Sequence, residues 1–212
     1  MAVQYQVRAQ VVDLRTDQPL ATDRFYVDTN VWFWVAYPNV QFSSGQLQAQ
    51  RVSDYTGYLR TVLLAKGQLH WCGLSLAELA HLIEKAEFEA YQGSGAAPVF
   101  STVKEYRHGH TAERKRVAET IETAWRSVEG LAESLPGPTT VDQAAVDAAL
   151  RAQARVALDG YDLFALKTLH ETKILQVISD DGDFCIVPGI TLFTTNRNVI
   201  LASQAQGKLL KR

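Results

Sequence analysis

The stretch FYVDTNVWFW, residues 25–34, sets a carboxylate, Asp28, directly behind the apolar triplet Phe25-Tyr26-Val27. A charge beside a core must be hydrogen-bonded, paired or metal-bound, because desolvating it alone is costly. Acids recur at comparable places. Asp180, Asp181 and Asp183 follow the apolar run ILQVIS (174–179), and Asp162 opens the helical segment that leads into that run. Glu78 lies one turn into a helix that follows LHWCGL (69–74). If these runs are parallel strands, their carboxyl ends share one crevice, where ligands gather in open α/β sheets. Four distant segments then deliver acids to one place, and those acids repel unless a cation neutralises them. An all-oxygen donor set without a His cluster favours Mg²⁺ or Mn²⁺ over zinc.

Each acid also has a purely structural reading. Ser75-Leu-Ala-Glu78 has the form of a capping box. Asp162 could be an N-cap, with Asp159 as an alternative to it in the site, and Asp28 could cap a helix begun by Val31. Asp181-Gly182 suits a hairpin turn between ILQVIS and FCIV. Asp180 is expected to be solvated.

The elements that must position these acids can be read from periodicity. Residues 3–14 alternate, with Tyr5, Val7, Ala9 and Val11 opposite Gln4, Gln6, Arg8 and Gln10, which predicts a half-buried strand. TDQP (16–19) reads as a turn. The 47–66 segment is helical, with Val52, Tyr55, Leu59, Val62 and Leu63 on one face and Gly67 as its stop. Ser75 opens a second helix to about Tyr91, and GSGAAP (93–98) is a loop. Val117, Ile121, Ala124, Val128, Leu131 and Leu135 predict a long amphipathic helix ending at PGP (136–138). Thr140-Val-Asp-Gln143 starts an Ala-rich helix, Asp159-Gly160 breaks it, and residues 162–173 form another. ILQVIS and GITLFTT (189–195) are strands, with DDGD (180–183) a loop between them. Strands separated by helices imply a mostly parallel sheet covered on both faces, a three-layer α/β/α sandwich. A single domain is expected, with residues 1–24 an N-terminal strand extension and about 93–158 a helical insertion.

Composition sets bounds on function. With 21 basic and 23 acidic residues, the chain is no bulk polycation for nucleic acid, although a local basic patch remains open. That patch is KEYRHGHTAERKR (104–116), where Lys104, Arg107, Arg114, Lys115 and Arg116 interleave with Tyr106, His108 and His110. Cations for phosphates plus rings for stacking suit single-stranded RNA, while a solvated loop and helix start is the plainer reading. The i, i+2 spacing of His108 and His110 does not make a metal site by itself. Cys72 and Cys185 sit in apolar runs and read as buried reduced thiols. No run approaches the roughly 20 apolar residues of a membrane span, and no secretory leader is evident. A cytoplasmic protein is expected. Trp32, Phe33 and Trp34 read as core or interface.

The order of these motifs resembles the PIN domain, a family of metal-dependent nucleases. Asp28-Thr29-Asn30 matches its acid-hydroxyl-amide step after the first strand, and Ser75-Leu-Ala-Glu78-Leu79 its helix-borne Glu. Asp162 stands about twenty residues before Ser179-Asp-Asp-Gly-Asp-Phe184, which fits the family's last acidic segment with Ser in place of Thr. The resemblance covers residues 25–92 and 159–195. It implies a ribonuclease using Mg²⁺ or Mn²⁺, with Asp28, Glu78, Asp162 and Asp181 as catalytic metal ligands. Thr29, Asn30, Ser179 and Asp183 would support them. It also implies an RNA substrate, homodimerisation and, as in VapC-type toxins, a candidate antitoxin. The N-terminal strand and the helical insertion depart from the compact members. A haloacid-dehalogenase-like phosphatase is disfavoured because Asn30 stands where that class has a second Asp. A catalytically silent RNA- or protein-binding module is the alternative.

Overall fold

A computed structural model describes residues 4–40, 46–136 and 141–212. Its order begins β1 (Gln10–Asp13), β2 (Arg24–Val27), α1 (Thr29–Ala36), α2 (Gln46–Leu64), β3 (Gln68–Trp71) and α3 (Ser75–Gly93). There follow α4 (Val103–Gly109), α5 (Thr111–Leu131), β4 (Glu133–Ser134), α6 (Gln143–Gln153) and α7 (Gly160–Thr172). The chain closes with β5 (Gln176–Ile178), a 3₁₀ turn (Asp183–Ile186), β6 (Thr191–Thr194), α8 (Arg197–Ala205) and β7 (Leu209–Leu210). The seven strands form one sheet in the order β4-β3-β2-β5-β6-β1-β7, and every pairing is parallel.

Successive residues of the central strands bury to opposite faces, as the pleat requires. Phe25, Val27, Ile178 and Phe193 join one core with α1, α2, α3 and α5, whereas Tyr26, Val177 and Leu192 join another with α6, α7 and α8. A parallel sheet apolar on both faces must be covered on both. The fold is therefore an α/β/α sandwich. Both cysteines are buried free thiols, Trp32 is wholly buried, and no described helix is long and apolar enough to cross a membrane.

Several elements differ from expectation, each for a local reason. The N-terminal alternation persists as burial, with Val7 and Ala9 buried, but only residues 10–13 are strand. Arg8 N and Ala9 N both donate to Cys185 O, at 2.9 and 3.0 Å, and so leave the ladder. On α2, Tyr58 rather than Leu63 completes the buried face. At its end the left-handed residue is Lys66, with φ of 65°. Gly67 is needed for another reason: a Cβ there would lie 2.9 Å from Val62 Cγ1.

The long helix stops at Leu131, short of Leu135. Glu133 and Ser134 instead pair with β3, and Leu135 N donates to Trp71 O at 2.8 Å. The unpaired edge of β3 thus claims residues whose spacing alone would extend the helix. Asp142 caps α6 through Ala145 N at 2.9 Å; Thr140 and residues 137–138 lie outside the described residues. No hairpin forms at Asp181-Gly182, because β5 and β6 are parallel and the 3₁₀ turn lies between them.

Candidate functional site

Strands β2 and β5 are neighbours at the middle of the sheet, so the residues after them share its carboxyl edge. Asp28 N donates to Ile178 O at 3.0 Å, which fixes the turn out of β2 beside the end of β5. Asp28 is the N-cap of α1 and only 3% exposed. Its Oδ1 accepts from Thr29 N at 2.6 Å; its Oδ2 accepts from Asn30 Nδ2 and Ser179 Oγ, both at 2.6 Å. Ser179 Oγ in turn accepts from Asp181 N at 2.9 Å, and Asp181 Oδ1 from Asp183 N at 2.9 Å. Thr29, Asn30, Ser179 and Asp183 therefore tie Asp28 and Asp181 into one chain of hydrogen bonds.

Glu78 reaches this edge because its expected capping box does not form. Leu74 is the N-cap of α3 and makes no side-chain cap, while Ser75 Oγ turns back to accept from Cys72 N at 3.2 Å. Thr29 Oγ1 is buried, and the Thr29 side chain lies toward Glu78 and favours its charged form. The cap of α7 is Asp159, which accepts from Tyr161 N and Asp162 N at 3.0 and 3.2 Å. Asp162 is thus no cap. It is 5% exposed, and no described group donates a hydrogen bond to its carboxylate.

These acids perturb one another. Burial pushes Asp28 well above the ordinary carboxylate range, and the charges of Glu78 and Asp181 push it further against the Ser179 hydrogen bond. Asp162 is raised more strongly, by burial first and then by Asp28, Asp159, Glu78 and Asp181. Glu78 is raised by burial with Asp159 and Asp181 adding, and Asp183 by burial with Asp181 and Asp159 adding. Tyr26, wholly buried, is raised by burial and then by Cys72, Asp28, Asp162 and Glu78, which places it among the same charges. Buried carboxylates without a counter-cation resist ionisation in this way.

Asp180, expected to be solvated, is 9% exposed. Its carboxylate pairs with Arg51 Nε at 3.3 Å, and its Oδ1 lies 3.0 Å from the Tyr55 hydroxyl. The Tyr55 hydroxyl also lies 3.1 Å from Ser179 O, and it accepts from Thr195 N at 3.1 Å. Asn196 Nδ2 donates to Asp180 O at 2.8 Å. The sequence reading missed Arg51, Tyr55, Thr195 and Asn196. The polar step after GITLFTT was a usable signal, since it repeats the pattern after β2 and β5. Tyr55 gave none, because it reads as one more apolar position on a helical face.

The basic segment is largely occupied by acids of α3. Arg107 binds Glu84 through both carboxylate oxygens, and Arg114 Nη1 lies 3.3 Å from Glu84 Oε1. Arg116 reaches Glu87 and Glu113, both at 2.6 Å. Lys115 makes an exposed contact of 3.8 Å with Glu119. Lys104 is exposed and forms no ion pair among the described residues.

The residues at the sheet edge are oxygen donors from separate segments, with no ion pair on Asp28 or Asp162, the chemistry that suits a hard divalent cation. As the side chains stand, no three Asp, Glu, His or Cys groups among the described residues are gathered closely enough to hold one ion. Compared with protein-family models, curated proteins and solved structures, the chain gives no match.

Proposed function

We propose that this protein is a divalent-metal-dependent endoribonuclease of the PIN type, hydrolysing RNA phosphodiester bonds. The observation that carries the reading is that Asp28, Glu78, Asp162 and Asp181, from four segments, lie near enough for burial and neighbouring acids to raise three of them: Asp28 by Glu78 and Asp181, Glu78 by Asp159 and Asp181, and Asp162 by Asp28, Asp159, Glu78 and Asp181. Bound there, Mg²⁺ or Mn²⁺ would supply a Lewis acid and an activated water for in-line displacement at phosphorus. Asp28 is the rigid ligand of the set, fixed at the strand end by its backbone bond to Ile178. Asn30 and Ser179 orient its Oδ2, and Thr29 lies between it and Glu78. Asp162, bare of donors, is the most available ligand. Because Asp28 and Asp162 are both raised above the ordinary carboxylate range, cation binding here would strengthen as pH rises.

Of the five cations proposed for RNA, Lys104 and Lys115 are the ones not committed to the carboxylates of Glu84, Glu87 or Glu113. A cytoplasmic location, a homodimer and an antitoxin partner belong to the same proposal. The test is cleavage of labelled single-stranded RNA by purified protein with Mn²⁺, with and without EDTA, and with Asp28→Asn. Cleavage that EDTA stops and Asp28→Asn abolishes, at unchanged thermal stability, supports the site. Undiminished cleavage by the variant would falsify it. One observation favours a second reading, a catalytically silent RNA- or protein-binding module: both oxygens of Asp28 are already occupied by protein donors. Mn²⁺ binding without cleavage of any RNA would select that reading.

A further inference from the structure

A groove of about 490 Å³ lies between α6, α7 and the segment that precedes β6, away from the acidic edge. Its floor is apolar, with Val156, Leu163, Leu166 and Val187. Ala148 and Ala152, one turn apart on α6, leave it deep, since a larger side chain at either would fill it. Its rim is basic. Arg8 stands on the N-terminal segment and Arg151 on α6 with Arg155 just beyond it, while the imidazole of His170 comes from α7. All four are exposed, and the three arginines form no ion pair among the described residues. The one acid of the lining, Glu171, is held by Lys167 at 2.8 Å.

We propose that this groove docks an acidic amphipathic helix of a partner protein. Unpaired arginines around an apolar floor call for an occupant that is apolar in the middle and acidic on both flanks. A single anionic head group would need the cations gathered at one point. Here the unpaired arginines come from two segments far apart in the chain, Arg8 from the N-terminal one and Arg151 and Arg155 from α6 and its end. Single strands are held by rings that stack their bases, and among the described residues no Phe, Tyr or Trp lines the groove. The chain as a whole carries a formal charge of −2, so the basic rim is a local feature and not a bulk excess. The proposal does not depend on the nuclease reading.

The probe is a designed, labelled helical peptide of about four turns with Leu along one face and Glu on both flanks. Two companions carry Lys in place of Glu, or Ser in place of Leu. Fluorescence anisotropy with the full chain is expected to show the Glu/Leu peptide binding at least about tenfold tighter than either companion, more weakly as salt rises. Arg151→Glu with Arg155→Glu, both at exposed positions where no burial is disturbed, should reverse the preference toward the Lys/Leu peptide. Ala152→Phe, checked for an unchanged melting temperature, should block both. Equal binding of the Glu and Lys peptides would overturn the proposal, as would binding that ignores loss of the Leu face. Displacement of the peptide by decanoate or by single-stranded RNA, sensitive to the same arginine changes, would assign the groove to those ligands instead and overturn it too.

Discussion

Helix α3 carries buried or half-buried acids at both ends of its run, and the two groups are treated in opposite ways. At its start Glu78 stands near Asp28, Asp162 and Asp181; only His81 and the Thr29 side chain act against its upward shift, and none of the four acids makes an ion pair among the described residues. Further along, Glu84 and Glu87, 6% and 2% exposed, are met by Arg107, Arg114 and Arg116 from α4 and α5. Glu84 is accordingly held below its ordinary range, by its Arg107 hydrogen bonds above all, whereas Glu78 is pushed above it. Tyr37 and Asn39 complete the shell of Glu87, each donating at 3.0 Å. A finished ion-pair network stabilises a helical layer; in the proposed function the unfinished one would take its counter-charge from a bound cation. The difference teaches that acid count says little, and that the supply of counter-charge separates a scaffold from a site.

The largest effect tests the unfinished group. Asp28→Asn should lower Mn²⁺-dependent RNA cleavage by at least ~100-fold while far-UV circular dichroism stays unchanged. Next comes the finished group. Arg116→Ala leaves Glu87 buried with only neutral donors, so urea unfolding should show a loss of about 2 kcal/mol, with no metal dependence. If that variant is as stable as the parent, the network is not what holds α5 on α3.

The third prediction turns on sign. The folded-state pKa of Asp162 is raised above its unfolded value near 4. In the window between the two, the folded state binds the extra proton, so stability falls as pH rises through it. Metal-free protein should therefore melt lower at neutral pH than near pH 5. Asp162→Asn should raise the neutral-pH melting temperature, by ~2–4 °C per kcal/mol for a chain of this size, and flatten the dependence. Mn²⁺ should restore the parent but not the variant to the same extent. A parent whose melting temperature ignores both pH and Mn²⁺ would contradict an uncompensated cluster. The smallest effect is on the exposed Lys115–Glu119 pair, where Lys115→Ala should leave stability unmeasurably changed. The same variant should weaken RNA affinity if the nuclease proposal is right about that lysine.

Much of this was legible in the chain. The parallel sandwich follows from apolar runs alternating with amphipathic helices, and the run of acids behind β2 and β5 follows from where those runs end. Other features were not legible. Leu135 kept helical spacing with Val128 and Leu131 while lying beyond the helix, because a free strand edge outbid periodicity. Ser75 and Glu78 had capping-box form, yet the Ser75 hydroxyl bonded Cys72 N and released the carboxylate. Asp180 looked solvated until Arg51 from α2 and Tyr55 closed over it.

By itself the sequence determined which residues carry charge, which strands are buried on both faces, and the order in which acids meet the sheet edge. These are local properties, set by side-chain chemistry and by the two-residue and 3.6-residue repeats. Only the tertiary structure decided which acids would be paired. The arginines of residues 107–116 lie well along the chain from Glu84 and Glu87, and nothing in their spacing names a partner. Packing α4 and α5 on α3 brought them together, whereas Asp28 and Asp162, at the sheet edge, make no ion pair among the described residues.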